Sequence, residues 1–427
     1  MFHLRRFAVM AMLAIFVAGC GDGGASGGGE KVIRLWHIMN YSGPREVLEA
    51  AVARFEAAHP GVRVEVDLFS NDDYKTKLAL EMASGNEPDV FFTWGAGGQT
   101  GQYIAQGKVA DLTAHAEAQG WNDRLLDAAA NLCRRDGKLY CAPLDLSVVV
   151  LWCNRELFER HGVALPRTWG ELETACRAFV AAGVTPIGLG NYDAWPGAFW
   201  YCYLASRLGG TALFERAAAG DGADFAATPF VRAGEMLRAL VESGAFSRDG
   251  SERKEDEARK LFVRGKSAMY LGGSWLVGQI VRDPEAAPFL KRLTALPFPE
   301  VPGAAPDGAK TVLGGVNCGF AVASSSREQE LAMRLVDFLT DEVTAREWCA
   351  IGRIPACRVP DEWLTAFPEA SREAYAILLK AVGMQPYYDQ YLPAALTVVH
   401  KNTTRDLFAG RMTPQQAAER MRDEAKK

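Results

Sequence analysis

Motifs of catalysis and of nucleic-acid binding are what this sequence lacks most clearly. Histidine is scarce, six in 427 residues, and each stands alone in sequence. No HExxH helix, GxSxG elbow or kinase motif set occurs, which removes the motif-bearing hydrolases and kinases. The nine cysteines include no CxxC pair, so zinc and redox readings are weak. With 47 basic against 52 acidic residues the formal charge is -5, and no basic run is long enough to track a phosphate backbone. Nucleic acid is therefore not an expected partner. Repeat arrays and heptad runs are absent as well.

What is present begins at the N-terminus. Arg5 and Arg6 precede the eleven-residue apolar run Phe7 to Val17, and Val17-Ala18-Gly19-Cys20 closes it with small residues before a cysteine. The run falls short of the roughly 20 residues that span a bilayer, so residues 1–19 read as a cleaved export signal. The ending resembles a bacterial lipobox, which implies lipid on Cys20. Residues 20–30 are then a Gly-rich tether spanning roughly 17 Å. Removing residues 1–19 leaves about 408, enough for two domains. Loss of Arg5 and Arg6 moves the charge from -5 to -7. Eight cysteines remain beside Cys20, an even number suited to an oxidising compartment. Cys133 with Cys141 and Cys349 with Cys357 are close enough in sequence to be candidate disulfides.

Periodicity reads as α/β. Val32–Ile38 is a buried strand, Pro44–His59 a helix with Leu48, Val52 and Phe55 on one face, and Val62–Leu68 an alternating strand. A second helix carries Tyr74, Leu78 and Met82, and Asp89–Thr93 returns as a strand. Such a succession predicts parallel strands with right-handed crossovers and a ligand beyond their carboxyl ends. Trp36–Tyr41 and Trp94–Gly101 fall there. Asp136-Gly137 reads as a hairpin turn, and Ser147–Trp152 as a strand at the first crossing between lobes. Thr168 to Glu171 fits a capping box whose helix Gly183 closes. Pro186–Leu189 and Ser267–Leu271 read as strands delivering Asn191, Asp193 and Trp195, and Gly272-Gly273-Ser274-Trp275, to loops. Leu313–Ala323 is another strand, helices cover Glu328–Leu339 and Val343–Ile351, and Gly352–Pro355 is a second linker. Thr413-Pro414 starts the last helix.

Taken in order, Ile33-Arg34-Leu35-Trp36-His37, Pro88-Asp89-Val90, Thr93-Trp94-Gly95-Ala96-Gly97-Gly98, Gly137-Lys138-Leu139-Tyr140, Gly265-Lys266-Ser267-Ala268-Met269, Gly273-Ser274-Trp275 and Gly410-Arg411-Met412-Thr413-Pro414 resemble one family. It is the extracellular solute-binding proteins that deliver sugars to ABC importers. Cys153-Asn154-Arg155 departs from it where tyrosine usually precedes the asparagine. The resemblance implies a two-lobed periplasmic-binding-protein-like fold, each lobe a sheet flanked by helices, with the ligand cleft between them. The expected lobes are 31–141 with 315–355 and 142–314 with 356–427. It also implies a monomer that works with a membrane permease pair and a cytoplasmic ATPase, exported and lipid-anchored on the outer side of the cytoplasmic membrane, with no cofactor and no metal.

A sugar ring has an apolar C–H face that packs on an aromatic plane and a rim of hydroxyls that needs paired donors and acceptors. Trp36, Trp94, Trp195 and Trp275 are therefore the candidate platforms, whereas Trp121, Trp169 and Trp348 are assigned to the core. Asn40, Asp145, Asn191, Asp193, Asn317 and Asp389 are the candidate hydroxyl partners, with His37 beside Trp36. Each has a plain alternative as a turn former or cap. Few basic residues occupy these loops, which favours a neutral mono- or oligosaccharide. The Gly95–Thr100 loop lacks the last glycine of GxGxxG and any GK[ST]. Tyr387-Tyr388 resembles the ferric clasp of other two-lobed proteins, a weak pattern. Two alternatives stand beside the importer subunit: a lipid-anchored glycan hydrolase, since the spacing of paired carboxylates is a three-dimensional fact, and a sugar-sensing receptor coupled to a sensor kinase.

Overall fold

The structure, a computed structural model, describes residues 30–219 and 223–427. The export signal and Cys20 lie outside the described residues. Strand β1 (Lys31–His37) pairs in parallel with β2 (Val62–Leu68) and β3 (Val90–Thr93). The linking helix Ser42–Ala58 buries Val47, Leu48, Ala51, Val52 and Phe55, a stripe at alternating steps of one and three residues that one helical face can present. The chain then reverses at Gly61, whose φ of 87° favours a residue without Cβ. Helix Asn71–Ser84 buries Tyr74, Leu78 and Met82; Ser70 accepts a hydrogen bond from the Asp73 amide at its start.

The hairpin predicted at Asp136-Gly137 joins β4 (Arg134–Arg135) to β5 (Lys138–Leu139), with φ of 51° and 79° at the two turn residues. Next comes β6 (Ala142–Asn154), all thirteen residues buried, which is longer at both ends than Ser147–Trp152. Pro143 does not interrupt it. That residue faces Gly319 at an irregularity of the register, where a missing N–H is tolerated. Strands β7 (Thr185–Gly188) and β8 (Ser267–Gly273) are parallel neighbours, β9 (Leu293–Leu296) flanks β6, β10 (Thr311–Val322) runs antiparallel to both β3 and β6, and the short β11 (Gly383–Gln385) pairs with β10.

The resulting order is β2-β1-β3-β10-β6-β8-β7. The half-sheets of the two lobes are thus linked through β6 and β10, not separate. At about 3.4 Å per residue these strands reach roughly 40 Å, long enough to serve both lobes. A third chain segment crosses beside them: the Leu146 amide donates to the Ile354 carbonyl (3.0 Å) and the Ala356 amide to that of Leu144 (2.8 Å). One apolar core gathers β1, β3 and the helices Ser42–Ala58 and Gln329–Thr340; another gathers the far half of β6, the helix Trp195–Gly209 and the C-terminal helices. A third lies around Trp152, Tyr270 and Trp363. Trp121, Trp169 and Trp348 are buried as expected. The Thr168–Glu171 capping box is present, and Thr413 caps the last helix with Pro414 at its first turn.

The eight cysteines beyond Cys20 are buried free thiols. Neither expected disulfide is formed. Cys133 and Cys141 nonetheless lie beside each other as thiols, burial first and then the neighbouring Cys133 sulfur pushing Cys141 up. The Cys349 sulfur is directed to the Trp363 carbonyl at 3.9 Å. Burial pushes Cys349 up to about 12 and Cys357 up to about 11, so both stay protonated. Cys153, where the family pattern breaks, is likewise a buried thiol.

Candidate functional site

A cavity of about 810 Å³ lies at the carboxyl ends of β1, β3 and β8, where such sheets place a ligand. One wall comes from Ile38–Tyr41, from Ser70–Asp73 and Lys75 at the start of their helix, and from Trp94. Across it stand Tyr192, Asp193, Trp195, Phe199, Lys254, Glu255, Asp256, Arg259, Lys260, Trp275, Tyr387 and Asp389, with Asn317 of β10 and Arg353 at the crossing segments.

Four rings form the second wall. Trp195 and Trp275 are 6.3 Å apart between centroids, Phe199 lies 5.3 Å from Trp195 and 6.1 Å from Trp275, and Tyr387 lies 5.4 Å from Phe199. Both tryptophans are half-buried. The glycines before Trp275 explain its pose, because a Cβ on Gly273 would stand 2.0 Å from the indole. The ring folds back over the strand end, where only glycine leaves room. On the first wall the one indole is Trp94, edge-on to Phe92 at 4.8 Å, with the Lys75 ammonium 4.7 Å from its centroid.

Four of the five cations lining the cleft are paired with carboxylates, and the fifth, Lys254, lies 5.8 Å from the centre of the Tyr192 ring. Lys75 is 3.7 Å from Asp389, Arg259 3.8 Å from Glu255 and Lys260 3.1 Å from Asp256. Arg353 is chelated by Asp145 and lies over Trp348. Burial lowers Lys75, opposed by the charge of Asp389. Burial raises Glu255, opposed by Arg259, while the Tyr270 hydroxyl donates to it at 2.6 Å. Asp193 is raised by burial and by Asp72 nearby. Arg259 also faces the Tyr41 ring across the cleft at 5.1 Å.

Of the residues expected from sequence, Asn40, Trp94, Asp193, Trp195, Trp275, Asn317 and Asp389 converge on this cavity. Four do not. Trp36 is 4% exposed and packs on Phe69 in the core, because its place within β1 turns it inward. His37 is buried under the loop and accepts from the Met39 amide; burial lowers it to about 3, so it is neutral. Asn191 is buried, accepting from the Gly197 amide at 2.9 Å and so fixing the start of the Trp195 helix. Asp145 is 1% exposed and accepts from the Trp348 indole (3.0 Å) as well as Arg353, a task inside the crossing region. Tyr41, Asp72, Lys75, Phe199, Glu255, Arg259, Arg353 and Tyr387 are cleft residues that sequence reading missed. Only Tyr387 carried a signal, its neighbour Tyr388, and that pair does not converge: Tyr387 bonds Ser147, whereas Tyr388 stacks on Phe214 in the core at 3.9 Å. Gly97 and Gly98 abut Gln390, and a Cβ on Gly98 would meet that carbonyl oxygen at 2.3 Å.

The model of the bacterial extracellular solute-binding proteins matches residues 41–345. This chain belongs to that family. It is 23% identical to the melibiose/raffinose/stachyose-binding protein MelE of Bacillus subtilis, over 98% of this chain and 95% of that one. A structure from work on xylan utilization by Caldanaerobius polysaccharolyticus superposes with a TM-score of 0.86 at 29% identity, covering 92% of this chain and 99% of its own. A chitin oligosaccharide binding protein gives 0.82 at 24%, covering 92% and 98%. The fold expected from sequence, two-lobed and α/β, is the fold these relatives share. Among the described residues no helix is long and apolar enough to cross a membrane.

Proposed function

We propose that this family member captures a neutral carbohydrate by closing two lobes, 31–141 with 315–355 and 142–314 with 356–427, and hands it to a membrane permease pair driven by a cytoplasmic ATPase. The observation that carries the reading is the aromatic wall, Trp195 and Trp275 half-buried over the buried rings of Phe199 and Tyr387, inside a cleft where Lys75, Arg259, Lys260 and Arg353 are each paired with a carboxylate. Sugar C–H faces stack on such rings, and Asn40, Asp193, Asn317 and Asp389 supply hydroxyl partners. An anionic ligand would have to displace a carboxylate from Lys75, Arg259, Lys260 or Arg353. Binding rather than turnover is favoured by the relatives, which are named for what they bind.

In this reading the protein is an exported monomer tethered through lipid on Cys20. Calorimetry across a sugar panel tests the binding claim: stoichiometric uptake without product supports it, and release of product from a chromogenic glycoside favours the hydrolase. A Cys20→Ser variant that stays on membranes would remove the anchor. A sensor kinase in place of two permeases among neighbouring genes would favour the receptor reading.

A further inference from the structure

One cation of the cleft is held unlike its neighbours. Lys75 and Arg259 stand 3.7 and 3.8 Å from their carboxylates, beyond hydrogen-bond reach, and keep some freedom to turn. Arg353 is clamped. It follows Gly352, whose φ is 82°, on the third segment that crosses beside β6 and β10, and it lines the cleft although only 3% of it is exposed. Nε donates to Asp145 Oδ2 at 2.8 Å and Nη2 donates to the same oxygen. The guanidinium carbon lies 5.0 Å from the centre of the Trp348 ring, and the Trp348 indole in turn donates to Asp145. The stem packs on Gly278, where a Cβ would stand 2.5 Å from Cδ. Such a side chain has given up its rotamer freedom before any ligand arrives, so a bond made to it costs little further ordering.

The clamp leaves one nitrogen over. Nη1 has no partner among the described residues and keeps access to the cavity, whereas Asp145 Oδ1 is unpaired and shut in. A guanidinium only donates, so the ligand atom that meets Nη1 is an acceptor, a hydroxyl, ring or glycosidic oxygen. Because Asp145 already balances the charge, a neutral oxygen can take that place and displace nothing. We infer that Arg353 is a ligand-binding residue whose Nη1 donates to a sugar oxygen at the floor of the cleft, held in position by Asp145. The inference rests on the carbohydrate reading and adds to it a donor on the crossing segment itself, so that the ligand touches a joint between the half-sheets as well as both walls.

Calorimetric titration of raffinose, xylotriose and chitotriose into the wild type and the double variant Asp145→Asn/Arg353→Gln tests it. Arg353→Ala alone would leave Asp145 as an unpaired buried carboxylate and endanger folding. The double variant removes both charges together and keeps an amide oxygen for the Trp348 indole. For a sugar that the wild type binds, it should lose about tenfold or more in affinity, the share of a charged hydrogen bond. Its melting temperature should stay close to that of the wild type, and saturating sugar should still compact it in small-angle scattering. Unchanged affinity overturns the inference and leaves the carbohydrate reading standing. Lost affinity accompanied by a fallen melting temperature or by lost compaction also overturns it, because the pair would then serve only the frame. A wild type that binds none of the three sugars overturns both.

Discussion

The two walls of the cleft are built on different principles. The wall after β8 is aromatic: four rings in mutual contact, with Trp275 seated over Gly273. The wall after β1 and β3 is polar: the first turn of the Asn71–Ser84 helix with Asp72, Asp73 and Lys75, and one indole, Trp94. Contacting rings hold one another without help from the opposite lobe. The polar wall instead finds its partners across the cleft, Lys75 on Asp389 and Asp72 on Lys401 at 3.9 Å. Under the proposed function this difference divides the labour: the aromatic wall would receive the ligand and the polar wall would complete closure, the ligand's differential affinity driving the change.

Acid should erase the comparison, because it strikes both lobes alike and with the largest effect. His37 lies behind the polar wall and His400 behind the aromatic one, lowered by burial to about 3 and about 4. A depressed native value means that the unfolded chain takes up protons first. Stability is therefore intact above the unfolded value near 6.5 and falls as pH drops through the window down to 3 or 4, by up to about 1.4 kcal/mol per pH unit for each histidine. A melting temperature that is flat from pH 7 to 5 would contradict it.

Trp275→Ala comes next and tests the receiving wall. Loss of a stacked indole should cost about 2 kcal/mol of binding, roughly thirtyfold in sugar affinity. The melting temperature should fall less, since the ring is only half-buried. Unchanged affinity with a large stability loss would place Trp275 in the core. Gly98→Ala tests closure alone. The new Cβ would meet the Gln390 carbonyl, and the residue has a φ of 49°, so the lobes should stay apart and affinity fall by about tenfold. Small-angle scattering that still compacts with sugar would refute this. The smallest effect belongs to Trp94→Ala, a loss of about 1 kcal/mol or less, because this ring faces the ligand without aromatic partners on the cleft side. A loss exceeding that of Trp275→Ala would reverse the assignment of the walls.

Much of the fold was legible. Strands read from apolar runs fell within a few residues of those observed, since burial and strand periodicity are local properties of the chain. The strand read as Ser147–Trp152 begins earlier, at Ala142, because the irregularity opposite Gly319 that accommodates Pro143 is formed with a strand about 175 residues away. The site was legible in part. Trp94, Trp195 and Trp275 were found from their place after strands, whereas Trp36 was misplaced by a single step: it is still inside β1, and each residue along a strand reverses the side to which its side chain points. Asp145 and Asn191 have the residue types that bind hydroxyls. Their partners Arg353 and Gly197 are what turned them to structural work.

By itself, then, the sequence determined the α/β succession, the family resemblance and the aromatic character of the cleft, all of which reside in short windows of pattern and composition. Only the tertiary structure decided that two half-sheets are joined through β6 and β10, that every arginine of the cleft is paired, and that the cysteines stand as free thiols. Each of these depends on the distance between residues far apart in the chain, a quantity set by packing the whole molecule and carried by no local segment.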